Sequence, residues 1–265
     1  MPLQFELCRT LQRGAKAFVA VIFLLSAALP AKTLKIPAGT AIPVRFPHTL
    51  DARKLHAGAL ISAETMQLVF VGPAAIIPKG TRVTGQVIAA SYSGKGEPSS
   101  LELRFDHLNF HGDSQPVCLS LRALASLNEV YNAKTPASTM DANPDLGTTL
   151  VGGDKIQLGS NKVFTSDGSD QVGIQNRDGI FSRLEPPLLG ATSGGSTCDG
   201  ISTLQSVAVF SSRACGLYGF PGIQWVPMPE APQPEILLTS DHEPVLIHSG
   251  SAALLQVTSC GARQL

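Results

Sequence analysis

The chain has 265 residues with 20 basic and 20 acidic side chains, so its formal net charge at pH 7 is zero. This balance argues against a nucleic-acid-binding protein, which usually carries a basic excess or patch. Its composition is 43% hydrophobic, and its 25 glycines and 19 prolines interrupt helices and favour turns. A mostly β fold of one large or two ordinary domains is expected.

The N-terminus has the pattern of a secretory signal. Basic residues precede an apolar stretch at 17–31, and we expect cleavage after Ala28 or Ala31. A membrane anchor is the alternative, but this stretch contains Pro30 and is shorter than the ~20 residues of a bilayer-spanning helix. A signal peptide at 1–31 predicts an exported protein, periplasmic or associated with the outer envelope.

Four cysteines lie outside the signal: Cys118, Cys198, Cys215 and Cys260. An even number in an exported chain predicts two disulfides. Of the three possible connectivities we favour Cys198–Cys215 with Cys118–Cys260, because the first pair flanks one hairpin and the second pair ends separated strands. Free buried thiols are the alternative. A zinc site is disfavoured, since no pair has the short C-x₂₋₄-C spacing.

A turn followed by an alternating strand occurs three times. The copies begin at Ile36-Pro-Ala-Gly39-Thr40, Ile77-Pro-Lys-Gly80-Thr81 and Ile247-His-Ser-Gly250-Ser251. We expect the prolines at the second position of a type I turn and the glycines at the fourth, where a positive φ is often needed. Positions three, five and seven after each glycine should share one face of a strand.

Further segments predict strands between and after these copies. They lie at 60–65, 67–71, 83–91, 101–107 and 116–123, and residues 69–71 are apolar enough to be buried on both faces. Residues 93–98 should join two of these strands as a hairpin. Residues 32–126 thus hold six or seven strands, enough for a β barrel or sandwich with Greek-key-like connections, which residues 235–260 complete.

The intervening residues 127–234 are rich in Gly, Ser and Asn and end in a Pro-rich stretch. They predict a small inserted β module flanked by linkers. Its strand candidates are 155–158, 162–165, 171–174, 179–184 and 207–211.

The segments Ile36-Pro-Ala-Gly-Thr-Ala-Ile-Pro-Val-Arg and Ile76-Ile-Pro-Lys-Gly-Thr-Arg-Val-Thr-Gly-Gln-Val make residues 34–126 resemble the TrbI-like family of conjugation and type IV secretion proteins. In that family an IPxGTxIxxxL strand opens a periplasmic β barrel and an IPxGTRxxGxV strand follows it. The resemblance implies a ring-forming, non-catalytic scaffold of a secretion channel, and it extends to 235–260. The chain lacks the family's long linker before the barrel and its helical insertion. These departures favour an envelope protein that shares the barrel module.

Several groups have side chains of the kinds that bind metals or act as nucleophiles. His107 and His111 would lie about 13 Å apart on a strand, too far to share a metal. Asp241-His242-Glu243 would alternate between faces or form an exposed turn. Ser193 and Ser196 lack the G-x-S-x-G pattern of an activated nucleophile.

Two kinds of loop could hold a ligand. The pairs Gly152-Gly153 and Gly194-Gly195 lack the context of a phosphate loop and predict turns. The stretch 165–170 could hold Ca²⁺, but it lacks EF-hand spacing, so a polar hairpin loop is expected.

The aromatic residues Tyr218, Phe220 and Trp225 are candidates for a contact surface. The alternative is that they form the small core of the inserted module. We predict no catalytic residue, metal or cofactor, and expect a non-enzymatic envelope scaffold or interaction protein. Its partners would be envelope proteins or further copies of itself, with membrane contact only through partners. A secreted polysaccharide hydrolase and a monomeric ligand- or carbohydrate-binding module are the alternatives.

Overall fold

The computed structural model describes residues 35–72, 75–110, 112–134, 147–157, 159–187, 198–228, 231 and 233–260. The predicted signal peptide lies outside these residues, as do His111, Ser193, Ser196 and Gly194-Gly195. The mostly β expectation is confirmed, with 52% of the described residues in strands and 3% in a helix.

The described residues contain nineteen strands and one short helix. In chain order the elements are β1 (Ala41–Arg45), β2 (Leu50–Asp51), β3 (Leu60–Thr65), β4 (Val69–Phe70), β5 (Ile76–Ile77), β6 (Arg82–Tyr92), β7 (Ser99–Phe110), β8 (Asp113–Ala125), α1 (Leu127–Asn132), β9 (Gly147–Thr149), β10 (Lys155–Gln157), β11 (Lys162–Phe164), β12 (Gln171–Asn176), β13 (Gly179–Leu184), β14 (Ile201–Ser206), β15 (Gly216–Tyr218), β16 (Ile223–Val226), β17 (Ile236–Ser240), β18 (Leu246–Ile247) and β19 (Ala252–Thr258).

Six strands form a closed antiparallel ring. Strands β8, β19, β1, β3, β6 and β7 are neighbours in that order, and β7 also pairs with β8. Strand β7 has two partners along one edge, because residues 99–103 pair with β17 and residues 105–110 pair with β8. Strand β16 extends the sheet beyond β17, and β15 joins β8 in parallel. The predicted hairpin of 83–91 and 101–107 is confirmed as β6 and β7.

The interior of the barrel is a packed core. Side chains alternate between buried and partly exposed along β6 and β7, as the two-residue period requires. Leu103, Phe105 and Leu121 are among the residues that meet inside, where the rings of Phe46 and Phe105 lie 6.2 Å apart. The void they leave measures about 10 Å³, far below the ~300 Å³ of a ligand pocket. The interior of the barrel therefore serves to hold its strands together.

The repeated turns are confirmed, with one correction to their geometry. Gly39, Gly80 and Gly250 all have positive φ, at 88°, 81° and 91°. The N–H of Thr40 donates to the carbonyl of Pro37 at 3.2 Å, and the other two copies have the equivalent hydrogen bond. The first residue of the turn is therefore proline in two copies and His248 in the third, and glycine is the third residue in every copy. A type II turn requires φ > 0 at its third position, which explains the glycine better than the type I assignment.

A fourth copy of the turn, at His56-Ala57-Gly58-Ala59, was missed by the sequence reading. Gly58 has a φ of 84°, and the N–H of Ala59 donates to the carbonyl of His56 at 3.0 Å. This copy leads into β3 as the others lead into β1, β6 and β19. Ala59 occupies the position at which the other copies have Thr or Ser. The sequence pattern, which required a hydroxyl residue there, therefore did not include this copy.

The four copies pair reciprocally. The N–H of Gly39 donates to the carbonyl of Val257, seven residues after Gly250, while the N–H of Gly250 donates to the carbonyl of Phe46, seven residues after Gly39. The copies at Gly58 and Gly80 repeat this arrangement through Val87 and Thr65. The barrel thus contains two pseudo-symmetric strand pairs, β19–β1 and β3–β6, placed side by side in one sheet.

The intervening residues form a separate six-stranded sheet in the order β9-β10-β11-β12-β13-β14. Its own core consists of Leu150, Ile156, Val163 and Val172. The predicted end of the module at 234 is corrected, because β15 and β16 pair with the barrel sheet instead. The described residues between 35 and 260 belong to one compact unit.

The predicted strand at 207–211 is also wrong. The last strand of the inserted sheet is β14, and residues 207–210 turn back on themselves through a hydrogen bond from the N–H of Phe210 to the carbonyl of Val207 at 2.9 Å. Ala208 lies in this turn with φ 50°, which is incompatible with an extended strand.

Candidate functional site

A buried arginine joins the barrel to the inserted segment. Arg122 is 1% exposed, and it is the residue of β8 that the register skips between Leu121 and Ala123, so it occupies a β-bulge. A bulge turns a side chain away from the regular alternation. Its guanidinium donates to the carbonyls of Glu185 at 2.7 Å and Asp199 at 2.8 Å.

Two more carbonyls complete this cage. The Nε of Arg122 donates to Ala214 at 3.2 Å, and one terminal nitrogen also reaches the carbonyl of Ser212 at 3.4 Å. Burial lowers the pKa of Arg122 to about 10, so the guanidinium is still charged at neutral pH. A charged side chain with planar, fixed donors thereby orders three separate stretches of backbone.

The loop before β15 is held by a second buried group. Asp154 accepts a hydrogen bond from the N–H of Ser212 at 2.7 Å, and its own N–H donates to the hydroxyl of Ser211 at 2.8 Å. Burial raises the pKa of Asp154, although the hydrogen bonds from Ser212 lower it in part. The turn formed by Gly152 and Gly153, both with positive φ, precedes this aspartate as predicted.

Both favoured disulfides are present. Cys198 and Cys215 have Cα atoms 6.1 Å apart, and Cys118 and Cys260 have Cα atoms 5.4 Å apart. The Cys198 sulfur lies 3.7 Å from the carbonyl oxygen of Arg122, so this disulfide sits beside the arginine cage. The second disulfide ties β8 to the end of β19. Two disulfides indicate an oxidising environment, consistent with export.

The aromatic residues do not form one exposed surface. Trp225 is 7% exposed and belongs to the barrel core, against which Phe220 also packs. Tyr218 is half-buried, and its hydroxyl accepts from the N–H of Cys215 at 3.1 Å. The contact-surface hypothesis is therefore wrong for Trp225. The alternative of a core within the inserted module is wrong as well, since β15 and β16 belong to the barrel sheet.

The other candidate groups serve local structure. The Nδ1 of His107 lies 2.6 Å from a carboxylate oxygen of Asp106. Residues 241–243 form an exposed bend, as expected. In the loop between β11 and β12, Asp167 accepts from the hydroxyl of Thr165 at 2.5 Å and from the N–H of Ser169 at 3.1 Å, and the hydroxyl of Thr165 is the main reason its pKa falls to about 2. The polar hairpin loop is thus confirmed. The described residues contain no group of three or more potential metal ligands.

Two exposed apolar residues lie beside the inserted sheet. Phe70 and Ile76 are directly paired across β4 and β5, and they are 49% and 47% exposed. This corrects the expectation that 69–71 is buried on both faces. The ring of Phe70 also lies 5.3 Å from that of buried Phe181 in β13, and the hydroxyl of Ser206 donates to the carbonyl of Leu68. We call Phe70 and Ile76 the apolar pair.

A glutamine docks the inserted sheet onto the barrel side. The amide of buried Gln67 donates to the carbonyl of Ile180 at 2.8 Å and accepts from the N–H of Ile180 at 2.9 Å. These two hydrogen bonds resemble the backbone pairing between two adjacent strands. A side chain at Gly179 would collide with the Gln67 amide, so glycine allows the close approach.

Next to Gln67 is an open cleft of about 400 Å³ between the barrel, the end of α1 and the inserted sheet. Lys79, Lys134, Arg177 and Asp178 supply its charged side chains among the described residues. The pKa of Lys134 is lowered, mainly by burial and in addition by the nearby positive charges of Arg45 and Lys79. We call this space the basic cleft. The sequence pointed to none of it, because its cations come from segments distant in the chain.

A pair of glutamates converges on the outside of β7. Arg104 reaches a carboxylate oxygen of Glu235 at 3.4 Å, and Glu102 lies beside the same carboxylate. Burial, followed by hydrogen bonding with Glu235 and the charge of Glu235, raises the pKa of Glu102. This arrangement favours the protonated form of Glu102.

No family model, curated protein or solved structure matches the chain. The fold itself consists of a six-stranded antiparallel ring and an inserted β sheet. Within the described part of the chain, no helix has the length and hydrophobicity needed to cross a membrane.

Proposed function

We propose that this chain is an exported, non-enzymatic scaffold or interaction protein of the cell envelope, periplasmic or outer-envelope associated, with a TrbI-like barrel. The observation that carries the proposal is the Arg122 cage, which fixes the inserted segment to the barrel through carbonyls of residues 185, 199, 212 and 214. A rigid junction of this kind suits a scaffold that holds the inserted segment in a fixed position for contact with a partner.

The side chains that are most capable of catalysis are engaged in structural contacts. The buried Asp154 holds the backbone of Ser212, the hydroxyl of Ser211 accepts from the backbone of Asp154, and four cysteines form disulfides. These contacts support a structural role for each group. The Glu102–Glu235 pair is the feature closest to the hydrolase alternative, and Glu235 has an ion-pair partner in Arg104 at 3.4 Å.

The apolar pair is the best candidate for the contact surface. Two large apolar side chains that face each other across a short hairpin and remain half-exposed are the kind of patch that protein interfaces cover. The TrbI-like resemblance implies ring formation, so the proposed occupant is a second copy of the chain. A role in a secretion or conjugation assembly is part of this proposal.

The test is the native mass of the full-length protein extracted with detergent from the envelope in which it is produced. Wild type should form an oligomer, and Phe70→Ser/Ile76→Ser should reduce it to a monomer while keeping both disulfides. Leu60→Ser is the matched control, because Leu60 is 89% exposed and begins β3, whose opposite end leads to β4. A monomeric wild type would overturn the scaffold proposal and favour a monomeric binding module.

A further inference from the structure

The geometry points to a binding site for a small phosphate monoester in the basic cleft, where Lys79, Lys134 and Arg177 supply the positive charge. This inference goes beyond the scaffold function and uses a different surface from the apolar pair.

The cleft has the size and walls of a small-molecule site. Its volume of about 400 Å³ falls within the range typical of ligand pockets. Gln67, Ile180 and Val209 provide a buried or partly buried floor that the double hydrogen bond of Gln67 holds in place. A fixed floor means that little ordering would be needed when a ligand binds.

Charge selects the class of ligand. Three cations and one carboxylate line the cleft, and that carboxylate, Asp178, lies 3.8 Å from the Nε of Arg177. The net charge of +2 matches a phosphate monoester, whose charge is about −2 at neutral pH. Arg45 and Lys79 both depress the pKa of Lys134, which marks a positive potential that a bound anion would relieve.

The repeat supplies an internal comparison for Lys79. The residue before the turn glycine is Ala38, Ala57 and Ser249 in the other three copies, and only the copy at the cleft has a cation. The turn therefore does not need lysine to fold. The charge of Lys79 is therefore an addition to the turn, made in the copy that lines the cleft.

The backbone at the cleft is strained. Ala208 has φ 50°, and it is the one described residue other than glycine with a positive φ. It lines the cleft while 7% exposed. Residues held in such conformations cluster at ligand sites, where the surrounding structure maintains them.

The experiment is calorimetric titration of the oxidised full chain with glucose 6-phosphate at low ionic strength, with glucose and glucuronate as comparison probes. We expect saturable binding of the phosphate ester, weakened by salt, and no binding of glucose. Equal binding of glucuronate would overturn the phosphate assignment, and absence of phosphate-ester binding at millimolar concentrations would overturn the site.

Variants separate the cleft from nonspecific attraction. Lys79→Gln/Lys134→Gln should weaken binding at least about tenfold, while Lys54→Gln/Lys95→Gln, which removes the same charge from positions that do not line the cleft, should leave it unchanged. Equal losses in both variants would overturn the inference. Phe70→Ser/Ile76→Ser should bind as wild type does, so failure of the scaffold proposal and failure of this one give different results.

Discussion

Arg122 donates to the carbonyl of Glu185 at 2.7 Å, which links a bulge in the barrel strand β8 to the chain just after the inserted strand β13. This single side chain makes four hydrogen bonds between the barrel strand β8 and the segments that flank the inserted sheet. It also explains how a charged residue can be 1% exposed, since its donors meet backbone carbonyls on several sides.

Replacement of this residue should therefore be costly. In Arg122→Met the carbonyls of Glu185, Asp199 and Ala214 lose the guanidinium as a donor, and we expect a loss of at least about 3 kcal/mol in the free energy of unfolding. Urea denaturation at constant pH measures it. Arg183→Met is the control, because Arg183 is exposed and donates to one carbonyl, that of Gln171. Similar losses in both variants would contradict the special role of the cage.

The Cys198–Cys215 disulfide should stabilise the inserted segment more than the barrel. It closes a loop of 17 residues, which corresponds to about 3 kcal/mol by chain entropy. In Cys198→Ser/Cys215→Ser, amide hydrogen exchange should accelerate in β13 and β14 and stay slow in β1 and β19. In the matched Cys118→Ser/Cys260→Ser variant the fast exchange should instead appear at the end of β19. An unchanged melting profile of the first variant would count against this prediction.

The turn glycines and the strand glycines should respond differently to alanine. At Gly80 nothing lies near an added Cβ, so Gly80→Ala should cost only the strain of a positive φ, about 1–2 kcal/mol. At Gly85 an added Cβ would meet the backbone of Arg104 in the neighbouring strand, so Gly85→Ala should cost more. Thermal unfolding of the two variants compares them. A larger loss at Gly80 would show that its turn has a further role.

The Glu102–Glu235 pair predicts a particular pH dependence. The folded-state pKa of Glu102 is raised above its ordinary value of 4.5, so its stabilising contribution is complete below that pH and is lost as the pH rises through the folded-state pKa. Glu102→Gln keeps a hydrogen-bond donor without a charge. Relative to wild type, this variant should gain stability as the pH rises from 4.5 to neutrality.

The measurement is the difference in urea-unfolding free energy between Glu102→Gln and wild type at several pH values. Buried Asp154 shifts in the same direction, so only this difference isolates the pair. Glu97→Gln, on the exposed hairpin tip, is the control. A difference that does not change with pH would refute the raised pKa of Glu102.

Local patterns in the sequence predicted the fold class, three of the four turn copies, the β6–β7 hairpin and four of the inserted strands. These features depend on residues close in the chain: glycine where φ is positive, and apolar residues that alternate along a strand. Cysteine parity and flanking context also led to both disulfide pairs. The fourth copy was missed because Ala59 replaces the hydroxyl residue, although Gly58 has the same φ.

Tertiary structure alone decided the sites. By alternation with Leu119 and Leu121, Arg122 belongs to the outer face of its strand, where solvent is expected; a bulge and the covering insert bury it instead. The basic cleft likewise brings together Lys79, Lys134 and Arg177, which are separated by 55 and 43 residues of chain. The physical reason is that burial and electrostatic potential depend on which surfaces meet in space, and no local period in the sequence encodes that meeting.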